Sequence, residues 1–270
     1  MSIDVIKKYG FQFNKKFGQN FIFDTNLLNA IVSDADVDSN TTVLEIGCGA
    51  GTLTKQIASK AKRVVSYEID TNLKPVLEEN LKDVKNVEVV FADVMSQKTS
   101  EIEEKLGDDY VIIANLPYYI TTPIIFKFLE EAKRLKRLVI MVQLEVAERL
   151  TAQENTANYG AITAQLKYRA DVKITRIVKR NMFTPAPNVD SAVVRIDFVK
   201  KYDIRDEKTL NNLIKSAFQM RRKTLCNNLK NTFGYTNEQA VKLLSEAGLE
   251  PNVRGEALSV EQFVKLANLM

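Results

Sequence analysis

The residues best suited to chemistry in this 270-residue chain are Asn115-Leu116-Pro117-Tyr118, at the end of an apolar run. Pro117 fixes its own φ and restricts Leu116 to an extended conformation, which can turn the Leu116 carbonyl towards the side-chain oxygen of Asn115. Two neighbouring acceptors suit an amino group with two N–H bonds, and Tyr118 offers a stacking face for a displaced base. We therefore predict a site for the exocyclic amino group of adenine; a plain turn after a strand is the alternative.

Such a site needs no histidine, and the chain contains none. The lone pair of adenine N6 is delocalised into the ring, so acceptors for both of its hydrogens favour a pyramidal and more nucleophilic nitrogen. The product cation can then lose its proton to water. The absence of imidazole also excludes Ser-His and Cys-His nucleophile systems.

A glycine-rich turn, EIGCGAG at residues 45–51, follows an earlier apolar run. Gly47 allows a tight turn, and Gly49 lets a ligand approach the backbone. Glu68 ends the next apolar run, 21 residues after Gly47, where a carboxylate can accept hydrogen bonds from two ribose hydroxyls. Asp93 follows the third run and can accept from an adenine amino group. These positions predict a nucleoside-containing ligand; a structural turn and a surface carboxylate are the alternatives.

Phe183 lies in a loop that Pro185 and Pro187 stiffen, within residues 181–187. An aromatic side chain held there can supply a second stacking face for the base. Packing of Phe183 in the hydrophobic core is the alternative.

Two basic segments are candidates for phosphate contacts. Lys15 and Lys16 open the segment KKFGQNF, and Arg221-Arg222-Lys223 stand near Asn227 and Asn228 on an expected helix. Residues 165–230 hold 16 basic and 6 acidic side chains, whereas the whole chain carries only +4. A basic region beside a neutral one indicates contact with a polyanion, and a solvated face or a frayed terminal arm is the alternative.

The composition indicates neither a metal site nor a disulfide. Cys48 and Cys226 are the only cysteines, they lie far apart, and neither has a CxxC partner. No apolar run approaches the roughly 20 residues that a membrane span needs, and the N-terminus has no signal-peptide pattern. We expect a cytoplasmic protein that is not bound to membranes.

Alternating strand and helix patterns must position these residues. Five nearly continuous apolar runs are typical of strands buried on both faces: 43–46, 63–68, 87–92, 110–115 and 137–143. Helical patterns separate them at 51–61, 71–82, 97–106 and 121–135. This alternation predicts a parallel, doubly wound α/β sheet.

The pattern changes after residue 143. Residues 144–168 are predicted to be helical, and 170–178 and 191–198 are predicted to form an antiparallel pair at the edge of the sheet. From about residue 203 only short amphipathic helices follow. We expect a catalytic domain at 1–200 and a helical RNA-binding domain at 201–270.

As a set, these segments resemble the ribosomal RNA adenine N6,N6-dimethyltransferases. The resemblance covers nearly the whole chain, and its motifs are KKFGQNF (15–21), VLEIGCGAGTLT (43–54), YEID (67–70), ADV (92–94), NLPYYITTP (115–123), QLEVAERL (143–150), FTPAPNVDSAV (183–193) and FQMRRKTLCNNL (218–229). NLPYYITTP, FQMRRKTLCNNL and VRGEALSVEQF (253–263) look like the housekeeping, kasugamycin-sensitivity branch. Cys48 stands where many relatives have proline.

The resemblance implies a Rossmann-like class I methyltransferase with a mostly parallel seven-stranded sheet and a small all-helical C-terminal domain. It implies S-adenosylmethionine as methyl donor, no metal, and donor contacts from Asn20, Ile22, Gly47, Glu68, Asp93 and Asn115. It further implies that Asn115, Leu116 and Tyr118 hold the target adenine, with Phe183 on its other face.

The implied substrate is a pair of adjacent adenosines near the 3′ end of small-subunit (16S) ribosomal RNA, in a pre-ribosomal particle. We expect the enzyme to act as a monomer in ribosome biogenesis. Two alternatives stay open: methylation of large-subunit RNA by an enzyme of the erythromycin-resistance type, and a ribosome-assembly factor whose methyl transfer is incidental.

Overall fold

A mostly parallel sheet of seven strands organises the protein in a computed structural model that describes residues 6, 8–11 and 18–270. Two further strands, of two residues each, pair outside this sheet. The strands of the described residues are β1 (Phe21–Ile22), β2 (Thr42–Ile46), β3 (Arg63–Glu68), β4 (Val87–Phe91), β5 (Tyr110–Asn115), β6 (Leu135–Gln143), β7 (Ala170–Val178), β8 (Phe183–Thr184) and β9 (Ser191–Phe198).

The order of strands in the sheet is β4-β3-β2-β5-β6-β9-β7. The first five run parallel, with β2 between β3 and β5, and β9 lies antiparallel to β6. From β2 the chain adds β3 and β4 on one side, and it then adds β5 and β6 on the other side. Doubly wound sheets open a crevice at the carboxyl ends of the strands where the order switches in this way, here between β2 and β5. The parallel sheet and its antiparallel extension agree with the sequence-based expectation.

Helices connect the strands of the parallel part of the sheet. Their apolar stripes explain their positions; in the helix before β6, for example, Ile124, Ile125, Phe128 and Leu129 are all buried. The α-helices are α1 (Thr25–Asp34), α2 (Thr52–Ala58), α3 (Lys74–Leu81), α4 (Thr99–Leu106), α5 (Thr121–Glu131), α6 (Leu144–Thr151), α7 (Ala161–Lys167), α8 (Glu207–Gln219), α9 (Leu225–Phe233), α10 (Asn237–Ala247) and α11 (Val260–Leu269).

The short strands β1 and β8 form an antiparallel ribbon that the sequence did not predict. Phe21 pairs with Thr184, and Ile22 pairs with Phe183. Two residues show no periodicity, and the partners lie more than 160 positions apart in the chain. The ribbon therefore joins the segment that contains Asn20 and Ile22 to the loop that contains Phe183.

The chain divides into two compact units: residues 1–147 with 173–197, and residues 148–172 with 198–270. The boundary expected near residue 200 differs from this division at 148–172. Tyr159 and Tyr168 explain the difference, because both are buried in the same apolar cluster as Leu210 and Phe263. The Tyr159 hydroxyl also donates to the Leu258 carbonyl at 2.9 Å. Independent domains at 1–200 and 201–270 stay a prediction.

Within the described part of the chain, no helix combines the length and apolar character that crossing a membrane requires.

Candidate active site

A cavity of about 1090 Å³ of empty space, measured out to its open mouth, lies in the first unit. The turns after β2, β3 and β5 contribute to its wall, as expected for the carboxyl ends of parallel strands. The wall contains every described residue that the sequence predicted for the donor and the target base: Asn20, Ile22, Gly47, Gly49, Glu68, Asp93, Asn115, Leu116, Tyr118 and Phe183. Residues separated by more than 160 positions thus share one cavity.

The glycine turn follows β2 and has a backbone that favours glycine. Gly47 has φ of 77° and Gly49 has φ of 55°, both in the left-handed region where a Cβ is unfavourable. A Cβ built on Gly49 would also lie within 2.8 Å of Cδ1 of the Phe21 ring. Side chains are therefore excluded at Gly49 both by the backbone conformation and by the Phe21 ring.

Glu68, at the end of β3, is 5% exposed and holds this turn in place. Its Oε2 accepts a hydrogen bond from the Gly49 N–H at 2.8 Å, and its Oε1 accepts from the Asp70 N–H at 2.9 Å. Burial raises the pKa of Glu68, while these backbone hydrogen bonds oppose the rise. Each carboxylate oxygen has a second lone pair, so Glu68 retains acceptor capacity for two hydroxyl groups of a ligand.

We expect Glu68→Ala to weaken binding of the methyl donor by roughly 1.5–3 kcal/mol, the scale of hydrogen bonds to charged groups. The change removes the acceptors for the ligand and leaves the Gly49 N–H without its partner. Glu68→Gln is the matched control, because it keeps the shape and one acceptor oxygen and should lose less. Calorimetric titration with S-adenosylmethionine measures both; an unchanged dissociation constant for Glu68→Ala would contradict a role in donor binding.

Two neighbouring positions complete this side of the cavity. Asp93 uses Oδ1 to accept from the Met95 N–H at 2.9 Å, an interaction that begins the short turn at Val94–Ser96. Ile69 is 46% exposed and forms part of the wall, although the sequence reasoning passed over it. A branched apolar residue directly after the strand-end carboxylate was the available signal. Such a side chain can cover the flat face of an aromatic ligand group.

The side-chain orientation of Asn115 is set by the backbone of residue 20. Its Nδ2 donates to the Asn20 carbonyl at 2.9 Å. Since the nitrogen is bound there, the amide oxygen is the atom left to accept a hydrogen bond within the cavity. The acceptor role of Asn115 stays a prediction, and this orientation of the amide is the one that the role requires.

Tyr118 is partly buried, and its hydroxyl already has a partner. The hydroxyl oxygen lies 2.9 Å from Oγ of Ser191, the first residue of β9. Burial raises the pKa of Tyr118, and the hydrogen bond with Ser191 opposes this effect. The ring rather than the hydroxyl is therefore the part available to a ligand. Ser191 was not among the residues that the sequence reasoning selected.

Glu45, within β2, is an enclosed carboxyl group beside the glycine turn. Its Oε2 accepts from the Ser66 hydroxyl at 2.5 Å, whereas its Oε1 has no hydrogen-bond partner among the described residues. Burial raises the pKa of Glu45 to about 7, against the opposing hydrogen bond from Ser66, and the charge of Glu68 adds to the rise.

This raised pKa predicts a pH dependence of stability. The folded protein keeps the Glu45 proton up to about pH 7, whereas the unfolded chain releases it near 4.5. Stability should therefore fall by about 3 kcal/mol between these pH values and not recover above them. Glu45→Gln, which is neutral at every pH, should lack this contribution. Urea unfolding of both proteins at pH 5 and pH 8 tests the difference; the same pH dependence in both would contradict it.

The two basic segments predicted to contact phosphates have different outcomes in the structure. Lys15 and Lys16 lie outside the described residues. The expectation that Arg221, Arg222 and Lys223 lie on a helix is wrong: they occupy the turn between α8 and α9. Met220 ends α8 with φ of −123° and ψ of 64°, and the Thr224 side chain caps α9.

The three cations of this turn also differ in their surroundings. Arg221 pairs with Glu256 at 3.0 Å and donates to the Ala157 carbonyl at 3.2 Å. Arg222 and Lys223 are exposed and have no carboxylate partner among the residues that the structure describes. Arg222 and Lys223 are therefore the members of the cluster that are available to an external anion.

In the described ranges, no three or more His, Cys, Asp or Glu side chains group in a way that could hold a metal ion.

Comparison with known proteins gives a consistent set of relatives. A family model described as ribosomal RNA adenine dimethylase matches residues 10–270. The chain is 42% identical, over 275 residues, to proteins named Ribosomal RNA small subunit methyltransferase A from Bacillus mycoides (strain KBAB4) and Bacillus anthracis (strain CDC 684). Each alignment covers 99% of this chain and 94% of the relative.

Solved structures resemble the chain over nearly its whole length. A dimethyladenosine transferase from Plasmodium falciparum aligns with a TM-score of 0.80 and 26% identity, covering 91% of this chain and 95% of that one. The 23S rRNA methyltransferase ErmE aligns with a TM-score of 0.73 and 25% identity, covering 93% and 99%. With the seven-stranded sheet, these similarities confirm the Rossmann-like class I fold with C-terminal helices.

Proposed function

The chain belongs to the ribosomal RNA adenine dimethylase family, and from this premise we propose its reaction and substrate. It dimethylates N6 of two adjacent adenosines near the 3′ end of small-subunit ribosomal RNA, with S-adenosylmethionine as methyl donor. The orientation of Asn115 carries the proposal: its amide oxygen is left as an acceptor in the cavity that the glycine turn and Glu68 also line. The Bacillus relatives, named as small-subunit methyltransferases, support the choice of subunit.

The donor side of the cavity fits S-adenosylmethionine. The backbone at Gly47 and Gly49 allows close approach, and Glu68 offers acceptors to the two ribose hydroxyls. Asp93 accepts from the adenine amino group, while Ile69 covers a face of the adenine ring. We assign the remaining donor contacts to Asn20, Ile22 and Asn115, which line the same cavity.

The acceptor side holds the target base. Tyr118 stacks on one face of the adenine and Phe183 on the other, while the oxygens of Asn115 and Leu116 accept the two N6 hydrogens. When bound, S-adenosylmethionine supplies the methyl group: the N6–C bond forms as the S–C bond breaks, sulfur keeps the electron pair, and N6 releases a proton to water. Asn115 and Leu116 lower the barrier because their hydrogen bonds strengthen as N6 becomes positive.

The position and subunit of the blocked adenosines distinguish this function from its alternatives. Unmodified small and large ribosomal subunits are incubated separately with the enzyme and donor, and primer extension locates positions that block base pairing. We expect two adjacent stops near the 3′ end of the small-subunit RNA. Stops in large-subunit RNA would instead support the activity that ErmE is named for, and a protein that binds small subunits without producing stops would be an assembly factor.

We propose that Arg222 and Lys223 contribute phosphate contacts, together with Lys15, Lys16 and Arg221. Changing Arg221, Arg222 and Lys223 to Ala should reduce the log–log salt slope of RNA binding by up to about 2–3. The double change at Arg222 and Lys223 should by itself reduce the salt slope by about 2, because Arg221 is already paired with Glu256. Filter binding across a salt series measures the slopes; equal slopes for variant and parent would mean that the cluster faces away from RNA.

The proposal extends to the form of the substrate and of the enzyme. We propose that a pre-ribosomal small-subunit particle is the substrate, that a cytoplasmic monomer acts on it without a membrane, and that residues 201–270 form the RNA-binding part. Co-sedimentation of the enzyme with small-subunit precursors, at one copy per particle, is the expected result.

A further inference from the structure

Tyr119 is the most exposed large hydrophobic side chain of the described residues, at 63%. It nevertheless belongs to the wall of the active-site cavity. The side chain therefore borders the cavity while most of its surface stays accessible to a partner. The proposed roles of the donor and target-base residues leave this ring unused.

The surroundings of Tyr119 differ from those of Tyr118. Tyr118 is partly buried and bound to Ser191, whereas Tyr119 lies beside the backbone of residue 18. A Cβ built on Gly18 would lie 3.7 Å from Cε1 of Tyr119 and 3.2 Å from Cβ of Pro117, and Gly18 has φ of 56°. A residue without a side chain at position 18 thus allows the Tyr119 ring to rest close to the backbone.

The geometry of an RNA strand determines which nucleotides remain at the mouth of the cavity. A base that enters the cavity to stack on Tyr118 must leave the helical stack, and its covalent neighbours stay at the mouth. Tyr118 and Tyr119 both line the cavity, so the Tyr119 ring lies near the proposed position of the displaced base. The neighbour in the proposed substrate is itself an adenine, and a purine offers a wide π-face for stacking on an aromatic side chain.

We propose that Tyr119 stacks on the base adjacent to the target adenosine and thereby keeps the target nucleotide out of its helix. This inference rests on the proposed function and adds a contact for the flanking nucleotide. The loss of stacking on the neighbour should make extrusion of the target less favourable. The effect should therefore appear in binding of RNA and in kcat/KM rather than in binding of the methyl donor.

A double-mutant cycle between protein and RNA tests the contact. Small-subunit particles are reconstituted with transcribed RNA in which one of the two target adenosines is changed to uridine, in each of the two positions. Methylation of the remaining adenosine is measured with the parent enzyme and with Tyr119→Ala, Tyr119→Leu and Tyr119→Phe. Calorimetry with S-adenosylmethionine checks that each variant is folded.

The parent enzyme should lose roughly tenfold in kcat/KM when the neighbouring adenine becomes uracil, the scale of one stacked base. Tyr119→Ala should show a similar loss on unaltered RNA and little further loss on the uridine RNA. Tyr119→Phe should behave as the parent does, and Tyr119→Leu as Tyr119→Ala does, because only an aromatic ring stacks.

Additive losses at both RNA positions would overturn the proposed contact, as would parental activity of Tyr119→Ala on unaltered particles. Coupling to a ribosomal protein instead of the RNA would appear as a loss for Tyr119→Ala that the uridine changes do not alter, which also overturns it. Failure of the parent enzyme to methylate unaltered small subunits is a separate outcome, since it contradicts the proposed function and this inference with it.

Discussion

Asn115→Ala is expected to slow methyl transfer on the order of a hundredfold or more when donor and RNA are both saturating, the scale for loss of one transition-state hydrogen-bond partner. In the proposed reaction the Asn115 oxygen accepts a hydrogen from N6, and this bond should strengthen as positive charge develops on the nitrogen. Interactions that strengthen in the transition state raise the rate, whereas uniform binding does not. Single-turnover methylation of small-subunit particles measures this step.

The partner of the Asn115 nitrogen provides a sharper comparison. Asn115→Asp keeps an acceptor oxygen but loses the Nδ2 donor to the Asn20 carbonyl, so its rate should lie between those of the parent and Asn115→Ala. Some loss of donor affinity is also expected, because we assign Asn115 a contact with the donor in the same cavity. A parental rate for Asn115→Ala at saturation would contradict the acceptor role. A rate for Asn115→Asp as low as that for Asn115→Ala would assign the effect to the lost contact with Asn20.

Tyr118 is the control for effects that act through stacking alone. Tyr118→Ala should lose a face worth roughly 1–3 kcal/mol, and Tyr118→Phe should keep most activity because the ring remains. A small loss of activity or stability is expected even for Tyr118→Phe, since the change leaves the Ser191 hydroxyl without that partner. If Tyr118→Phe were as inactive as Tyr118→Ala, the hydroxyl would carry the function and the stacking account would be wrong.

Gly49→Leu is expected to reduce affinity for S-adenosylmethionine on the order of a hundredfold, equivalent to about 2.7 kcal/mol. The new side chain would meet the Phe21 ring and displace it within the cavity that we propose for the donor. It would also force a residue with a Cβ into the left-handed region, which disturbs the N–H that donates to Glu68. Calorimetric titration of the folded variant measures the loss.

Gly107→Leu separates backbone strain from obstruction of the site. Gly107 has φ of 81°, but a Cβ there meets no atom within 4 Å, and Gly107 is not part of the cavity wall. This variant should lose stability while it binds the donor as the parent does. Undiminished donor binding by a folded Gly49→Leu protein would show that the glycine turn is not the donor site.

Much of the sheet could be predicted from sequence because most of its strands, such as β2, β3 and β5, are buried on both faces. β7 is only partly buried, and its branched residues were the signal there. The runs 63–68, 110–115, 170–178 and 191–198 correspond to β3, β5, β7 and β9 without any shift. Continuous apolar runs bounded by turns carry this information locally. The sequences of β1 and β8 contain no such local signal, since a strand of two residues is too short to show a pattern.

The turn at Arg221–Lys223 shows where local pattern misleads. The sequence analysis predicts short helices in this region and places these three residues on one of them, together with Asn227 and Asn228. The structure instead ends α8 at Gln219 and begins α9 at Leu225, and Arg221 pairs with Glu256 from a distant part of the second unit. The periodicity of apolar residues along the sequence cannot predict an ion pair between residues 35 positions apart.

The sequence by itself determined which residue types reach the carboxyl edge of the sheet, because a strand's end in the chain is also its end in a parallel sheet. That was sufficient to select Gly47, Gly49, Glu68 and Asn115. Only the tertiary structure decided which atoms remain available: the Asn115 nitrogen is bound by a carbonyl 95 positions away, and the Tyr118 hydroxyl by Ser191, 73 positions away. Such contacts depend on packing between elements, and hydrogen-bond donors and acceptors become committed only when distant segments meet.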